Sequence, residues 1–394
     1  AMDAQMYALT IPTLVTLWHM TTGDAGILGT AFLVAGAPGG WIAGLLADRY
    51  GRVRVLQITI IWFSAFTFLS GVTDSFGELL LTRSLQGLGF GAESAVGAVL
   101  LSETINARVR GRVVGAIQAG WAIGYAIAVL LSTVLFTYLP TDYAWRVFFF
   151  LGLLPALLVI WIRRNVEEAP IYAAESHRST QKVTLWEIFS PAHLAMTLKA
   201  TLLTFAIYGA NYVMITWLPA YLKLTLNLSI ANVGGYLFIN ILGVFAGAFL
   251  NGWMADTLGR RNTFIILACC QGIAVGIYTL APINLTATLF LGFVLGTLQS
   301  GTGSGIGAYL AELFPTHIRG TALGFSGNAG RAFGAIVPAC VGLLAPNLTL
   351  GIAMGLCACT ANAIVVIAAL MLPETLGRDL SKVTATNQPA RLAA

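Results

Sequence analysis

The stretch GLLADRYGRVR at residues 44–54 returns, nearly copied, as GWMADTLGRR at residues 252–261. Each copy closes one apolar run and precedes another, which makes it a short charged turn between two membrane spans. A second pair keeps the same period: Ser102-Glu103 ahead of Arg110-Gly111 corresponds to Glu312-Leu313-Phe314-Pro315 ahead of Arg319-Gly320. Asp48 and Asp256 are 208 residues apart, and Glu103 and Glu312 are 209 apart. Two unrelated patterns agreeing within one residue make the chain two similar halves.

Composition sets the class. Of 394 residues, 57% are hydrophobic and 9% charged, with a mean hydropathy of +0.82; a soluble domain carries about 25% charge. The chain is a polytopic membrane protein. Apolar runs of about 20 residues exclude a barrel, which needs short alternating segments. The 43 glycines suit helices that pack closely in lipid. Cys269, Cys270, Cys340, Cys357 and Cys359 all lie in apolar runs without metal-ligand spacing and read as small buried residues. The net charge of +5 comes from loop arginines facing a membrane surface, so no nucleic-acid partner is indicated.

Twelve apolar spans follow in order: 2–18, 27–47, 55–71, 76–101, 113–135 and 145–161, then 194–221, 230–255, 263–280, 287–310, 321–344 and 348–372. The expected fold is an all-α membrane protein with twelve transmembrane helices in two pseudo-symmetric six-helix bundles. The expected domains are an N-terminal bundle at 1–162, a cytoplasmic linker at 163–193, a C-terminal bundle at 194–372 and a cytoplasmic tail at 373–394. The linker is polar and reads as a surface segment with a short interfacial helix at 185–189. Leu194 precedes Asp256 by 62 residues, whereas Asp48 has 47 before it. Helix 1 is therefore expected to be truncated at its start, with roughly 15 residues of the repeat lying ahead of residue 1.

Basic residues decide the orientation. Sixteen of the 21 lie on the side of the repeated loops or in the segments continuous with them, and the opposite loops hold only Arg146 and Lys223. By the positive-inside rule the repeated loops and both termini are cytoplasmic, and a bacterial inner membrane is the expected location.

The paired loops at 44–54 and 252–261 resemble the signature loop of the major facilitator superfamily. That resemblance spans essentially the whole chain and implies two six-helix bundles around a central site, worked by alternating access. Further stretches are similar to the proton-coupled metabolite symporters, in their sialate, monocarboxylate and aromatic-acid branches. These are Asp3-Ala-Gln-Met-Tyr7, Arg83 to Glu93, Trp145-Arg146, Trp217-Leu218-Pro219 and Gly330-Arg331. The tail at Pro373-Glu374-Thr375 also resembles the sugar porters. Span 5 lacks the Gly-Pro doublet of the drug-proton antiporters, which counts against that branch.

In the resembled fold, spans 1 and 4 both line the cavity. Arg83 falls about 10 Å into the membrane from the outer start of span 4, and Glu93 about 15 Å deeper. Asp3 on span 1 comes to a similar depth as Glu93. Asp3, Arg83 and Glu93 are thus the expected proton-coupling set, because an arginine beside buried carboxylates can trade a proton against an ion pair. The bland alternative for Arg83 is a pin between span 4 and a neighbouring carbonyl.

Arg331 lies about 16 Å into span 11, where a guanidinium without a partner is costly. Its planar donor fork suits a substrate carboxylate; a structural pair with a first-half acid is the alternative. Asn328, Gln5, Tyr7, Asn211, Tyr212, Asn240 and Gln299 complete the expected substrate-binding set, each of them also plausible as helix-to-helix glue. Tyr7, Tyr208, Tyr212 and Trp121 would favour a ring-shaped substrate if they converge.

Asp48, Arg52, Glu103 and Arg110, with Asp256, Arg260, Glu312 and Arg319, are the expected conformational latch, Glu103 pairing Arg110 and Glu312 pairing Arg319. Nucleotide-binding and metal-binding patterns are absent, so the expected energy source is a proton gradient without a cofactor. The leading reading is a transporter, not an enzyme: a monomer in the lipid bilayer that moves a small organic carboxylate with protons. The alternatives are a neutral sugar or polyol carrier with Arg331 structural, or a non-transporting receptor in the same fold.

Overall fold

A computed structural model describes residues 2–104, 110–157, 159, 185–282, 284–315 and 318–376; the side chains at 45, 48, 94, 95, 98, 99, 101–104, 110–119, 185, 186 and 320 lie outside that description. Among the described residues the architecture is all-helical. The first half contributes α1 (Met2–Leu17), α2 (Thr22–Tyr50), α3 (Arg52–Ser70), α4 (Phe76–Thr104), α5 (Arg110–Tyr138) and α6 (Thr141–Phe150). After a short 3-10 turn at Leu185–Phe189, where the sequence places a short helix, the second half begins. It contributes α7 (Leu194–Ala220), α8 (Ile230–Leu258), α9 (Arg260–Leu280), α10 (Leu285–Ser304), α11 (Ile306–Leu313), α12 (Arg319–Gly334), α13 (Val337–Leu344) and α14 (Leu350–Leu370).

Spans 10 and 11 each arrive as two helices. Span 10 breaks at Gly305, inside the glycine run 301–307, where the Asn251 side chain of α8 crowds the backbone and its Nδ2 donates to the Gly301 carbonyl at 2.7 Å. Span 11 breaks at Ala335-Ile336, ahead of Pro338. Nine stretches among the described residues are long and apolar enough to cross a membrane; the helices at Met2–Leu17, Phe76–Thr104 and Thr141–Phe150 fall outside that measure. Helix starts follow local chemistry. Thr21 and Asp24 form a reciprocal capping box on α2, and Ser229, Asn284 and Thr349 cap α8, α10 and α14 through their side chains.

The sequence repeat is also a repeat of backbone geometry. Gly51 and Gly259 occupy equivalent turns with φ of 96° and 93°, a region that L side chains rarely adopt. Gly44 and Gly252, at the start of each copy, have open space where a Cβ would stand, so close approach is not their role. The tight seams lie elsewhere: Gly87 and Gly91 bring α4 against the α2 backbone, and Gly247 and Gly296 bring α8 and α10 together in the same way.

The two halves meet on the side away from the repeated loops. Thr22 Oγ1 donates to the Gly342 carbonyl and Thr30 Oγ1 to the Ala335 carbonyl, both at 2.8 Å. Gly342 is available because residue 346 is proline and has no N–H for the carbonyl four residues earlier. Gly26 of α2 packs on Trp217 and on the backbone of Pro338 and Ala339, and Gly234 of α8 packs on Thr133 of α5. In this conformer that side is closed. The cysteines differ from expectation: Cys269, Cys270 and Cys340 are exposed and Cys357 and Cys359 half-buried, because an outward helix face bordered by lipid accepts a thiol as readily as the interior does.

Candidate functional site

Charged side chains buried inside the helices concentrate at two places, one in each half. In the first half, Arg83 on α4 is 1% exposed. Its Nη1 donates to Gln86 Oε1 at 2.6 Å, and Gln86 Nε2 donates onward to Thr67 Oγ1 at 2.7 Å. The guanidinium lies 4.3 Å from the Phe32 ring centroid and 4.9 Å from that of Tyr7, a cation held between two aromatic faces. Its Nε is buried without a hydrogen-bond partner among the described residues.

Asp3 lies within electrostatic reach of both Arg83 and Glu93, the two residues expected with it to couple protons. Both carboxylate oxygens of Asp3 are buried and have no partner among the described residues, as does Oε1 of Gln5. Arg83 is held by stacking and by Gln86 rather than by an ion pair with Asp3.

In the second half, Arg331 on α12 is half-buried. Its Nη2 donates to the Tyr208 hydroxyl at 3.3 Å, and the guanidinium stands over the Tyr208 ring at 5.1 Å. Tyr208 and Tyr212, one turn apart on α7, stack with centroids 5.7 Å apart and planes at 26°. Arg331 Nε is buried and unpartnered among the described residues. Gly330 and Gly334 on either side of it press α12 onto Thr204, Phe205 and Gly209 of α7, so the arginine has no room to stand off from the tyrosines. Asn328 is half-buried one turn earlier, its Nδ2 returned to Gly324 of its own helix at 2.9 Å.

Several residues expected to bind substrate have their polar groups committed instead. The Tyr7 hydroxyl donates to the Ala25 carbonyl at 2.6 Å. Asn240 Nδ2 donates to the Gly292 carbonyl at 2.8 Å, pinning α8 to α10. Asn211 and Gln299 clasp each other through their backbone carbonyls at 3.3 Å, and Gln271 of α9 closes the group by donating to Asn211 Oδ1 at 3.2 Å. Thr302 completes it by donating to Gln271 Oε1. Buried amides in lipid do this because an unmade bond there is costly. Gln271, one glutamine in an apolar run, enters as a residue for which the sequence expected no role. Tyr208 stood among the aromatic candidates but outside the expected substrate-binding set, and its i, i+4 spacing to Tyr212 puts the two rings on one face of α7.

On the side of the repeated loops, Arg260 joins Asp256 Oδ1 at 3.0 Å and Glu312 Oε1 at 3.3 Å, while its Nη1 donates to the Ala255 carbonyl. The expected pairing of Glu312 with Arg319 is thus replaced: Glu312 takes Arg260, which reaches it across the turn, and Arg319 Nε donates to the Phe314 carbonyl. Arg52 donates to the Ala47 carbonyl at 3.0 Å, the counterpart of Arg260 on Ala255. The side chains of Asp48, Glu103 and Arg110 lie outside the described residues.

Glu374, given no role by the sequence, is the cap of α9. Its Oε1 accepts from the backbone N–H of Arg260 at 2.8 Å, and Thr375 Oγ1 donates to Glu312 Oε2 at 2.5 Å. Burial pushes the Glu374 carboxyl up, but the N–H groups of Thr375, Leu376, Arg260 and Asn262 outweigh it and hold it below the usual carboxylate range. A lowered folded-state value stabilises above the ordinary glutamate range of about 4.3 and is lost as pH falls through the folded value. The Tm difference between the wild type and Glu374→Gln in detergent is therefore expected to hold steady from neutral pH down to about pH 5 and to narrow as pH falls from about 5 to about 3. A difference that stays constant over that interval would show that the cap does not depend on the charge.

The sequence matches the family model described as Major Facilitator Superfamily over residues 1–338 and 200–393. A protein of Cupriavidus pinatubonensis described as a probable 4-methylmuconolactone transporter is 38% identical over 375 residues, covering 95% of this chain and 87% of that one. The cis,cis-muconate transport protein of Acinetobacter baylyi is 31% identical over 364 residues, covering 89% and 85%. Among solved structures, a D-xylose-proton symporter superposes with a TM-score of 0.79 at 20% identity, covering 96% of each chain; at that identity the likeness is one of fold.

Proposed function

We propose that this chain, which belongs to the Major Facilitator Superfamily, carries a small planar organic carboxylate across the membrane together with protons. The observation that carries this reading is Arg331. Its guanidinium stands on Tyr208 beside the Tyr208–Tyr212 stack, with Nε unpartnered and no carboxylate joined to it among the described residues. A carboxylate meets the donor fork there, and a flat conjugated body attached to it meets a π-face. That a muconate and a methylmuconolactone carrier are among the relatives supports a substrate of this chemistry.

In this reading Arg331, Tyr208, Tyr212 and Asn328 hold substrate. Asp3 and Glu93 hold the proton beside the caged Arg83. The Asp256–Arg260–Glu312 group, with Asp48, Arg52, Glu103 and Arg110 as its first-half counterpart and Arg319 beside it, ties the cytoplasmic side of one state. The bundles are 1–162 and 194–372, joined by the linker 163–193, and both termini, with the tail 373–394, are cytoplasmic in the inner membrane of a bacterium. The working unit is the monomer.

Uptake into proteoliposomes tests the reading, with benzoate, cis,cis-muconate, lactate and sialate against neutral sugars, with and without an inward proton gradient. Carboxylate uptake that rises with the gradient is expected, falling about 100-fold in Asp3→Asn, within the range for loss of a positioned proton carrier. Sugar uptake indifferent to the gradient would overturn both the anion and the coupling assignments.

A further inference from the structure

Tyr7 is 2% exposed, and both its ring and its hydroxyl are engaged. The ring carries Arg83 of α4. The hydroxyl holds the carbonyl of Ala25 on α2. Asp3 lies one turn before Tyr7 on the same face of α1, within electrostatic reach of the same guanidinium.

Ala25 is the neighbour of Gly26, the residue that receives Trp217 of α7 and the backbone of Pro338 and Ala339; Trp217 is itself fixed by donating to the Pro338 carbonyl at 3.0 Å. One turn later on α2, a Cβ at Gly29 would lie between Thr216 of α7 and the Tyr7 ring. One side chain therefore touches the buried charge group on one side and, on the other, the glycines at which the halves close.

We infer that Tyr7 is a positioning residue that transmits movement of Arg83 to the seam between α2 and α7. The inference rests on the proton-coupled reading above. If Arg83 leaves its aromatic cage for Asp3, the Tyr7 ring loses its cation; through the bond to Ala25 the displacement reaches Gly26 and Gly29, against which the second half is shut. Spatial contact alone does not show coupling; a two-state element biased from both ends does. Here the two ends are the Arg83 cage and the glycine seam. The charged groups within electrostatic reach of the Tyr7 phenol are Arg83 and Asp24; Asp3 in turn acts on Arg83, and Glu93 on Asp3.

Tyr7→Phe deletes the hydroxyl and keeps the ring under Arg83, so it separates transmission from the cage. Two modes are read in proteoliposomes with labelled benzoate and cis,cis-muconate: accumulation driven by an inward proton gradient, and exchange at equal pH. Accumulation is expected to fall about fivefold or more, the scale of a lost coupling, with exchange held within about twofold. Equal loss in both modes would mean that the bond only supports the fold, and no loss in either would mean that it transmits nothing. Both overturn the inference.

A second measurement needs no substrate. With the five native cysteines replaced by serine, Thr216→Cys in the seam is labelled by a membrane-impermeant maleimide from the side opposite the repeated loops. Labelling that responds to acidification in the parent and not in Tyr7→Phe supports the inference; an equal response in both overturns it. Absence of carboxylate accumulation in the wild type sinks the transport reading instead, and the labelling then decides the role of Tyr7 by itself.

Discussion

Arg331→Lys is expected to weaken carboxylate binding about 100-fold while leaving a folded, monodisperse protein, the scale that follows from disturbing a buried charge-assisted pair. A lysine keeps the charge but loses the plane. The guanidinium here lies over Tyr208 and donates to its hydroxyl, with Nε left over for a second, parallel bond; an ammonium offers neither the stack nor the fork. Arg331→Gln is expected to abolish uptake without a large fall in Tm, because no carboxylate is joined to Arg331 among the described residues to be stranded by the loss. Substrate-dependent thermal shift and the uptake KM measure the two effects separately. An unchanged KM in Arg331→Lys would return Arg331 to a structural role.

The second large effect concerns the glycine seams. A Cβ on Gly91 would overlap the Gly36 carbonyl, and one on Gly247 the Thr297 carbonyl. Backbone cannot swing aside as a side-chain tip does, so Gly91→Ala and Gly247→Ala are each expected to cost at least about 3 kcal/mol and to lower the yield of folded protein sharply. Gly235→Ala provides the control, since nothing lies within 4 Å of the added carbon. Thermal unfolding in detergent across these variants checks the order. A Gly91→Ala protein as stable as Gly235→Ala would mean that the α2–α4 pair gives way far more easily than this geometry allows.

How much of this was legible in the sequence follows from what each pattern constrains. The repeat announced two equivalent turns, and Gly51 and Gly259 carry the same unusual backbone conformation. Apolar run length located the helices. It could not foresee that spans 10 and 11 are each broken, since a glycine run marks where a helix can break, and the Asn251 side chain that crowds Gly305 comes from another helix. Helical phase assigns a face but not a partner. Tyr7, Asn211, Asn240 and Gln299 were candidates for substrate because they are polar within apolar spans. That same property drives each to a carbonyl once helices pack, and which carbonyl is decided in three dimensions. Arg331 could be singled out because a buried cation needs a reason under any packing. Glu374 stood out only for a resemblance of the tail, and its capping role was hidden because its partners, the first N–H groups of α9, are more than a hundred positions away in the chain.

The closed seam between Thr22, Thr30 and the carbonyls of Gly342 and Ala335 is made of neutral bonds, each contributing about 1 kcal/mol and indifferent to dissolved ions. The ties on the face of the repeated loops are ionic and partly solvated, the kind that added electrolyte weakens. Ionic strength therefore acts unequally on the hydroxyl seam and on these ionic ties. A turnover rate that responds to potassium chloride would report that release on the charged face limits the cycle, and a rate that ignores it would assign the slow step to the hydroxyl seam.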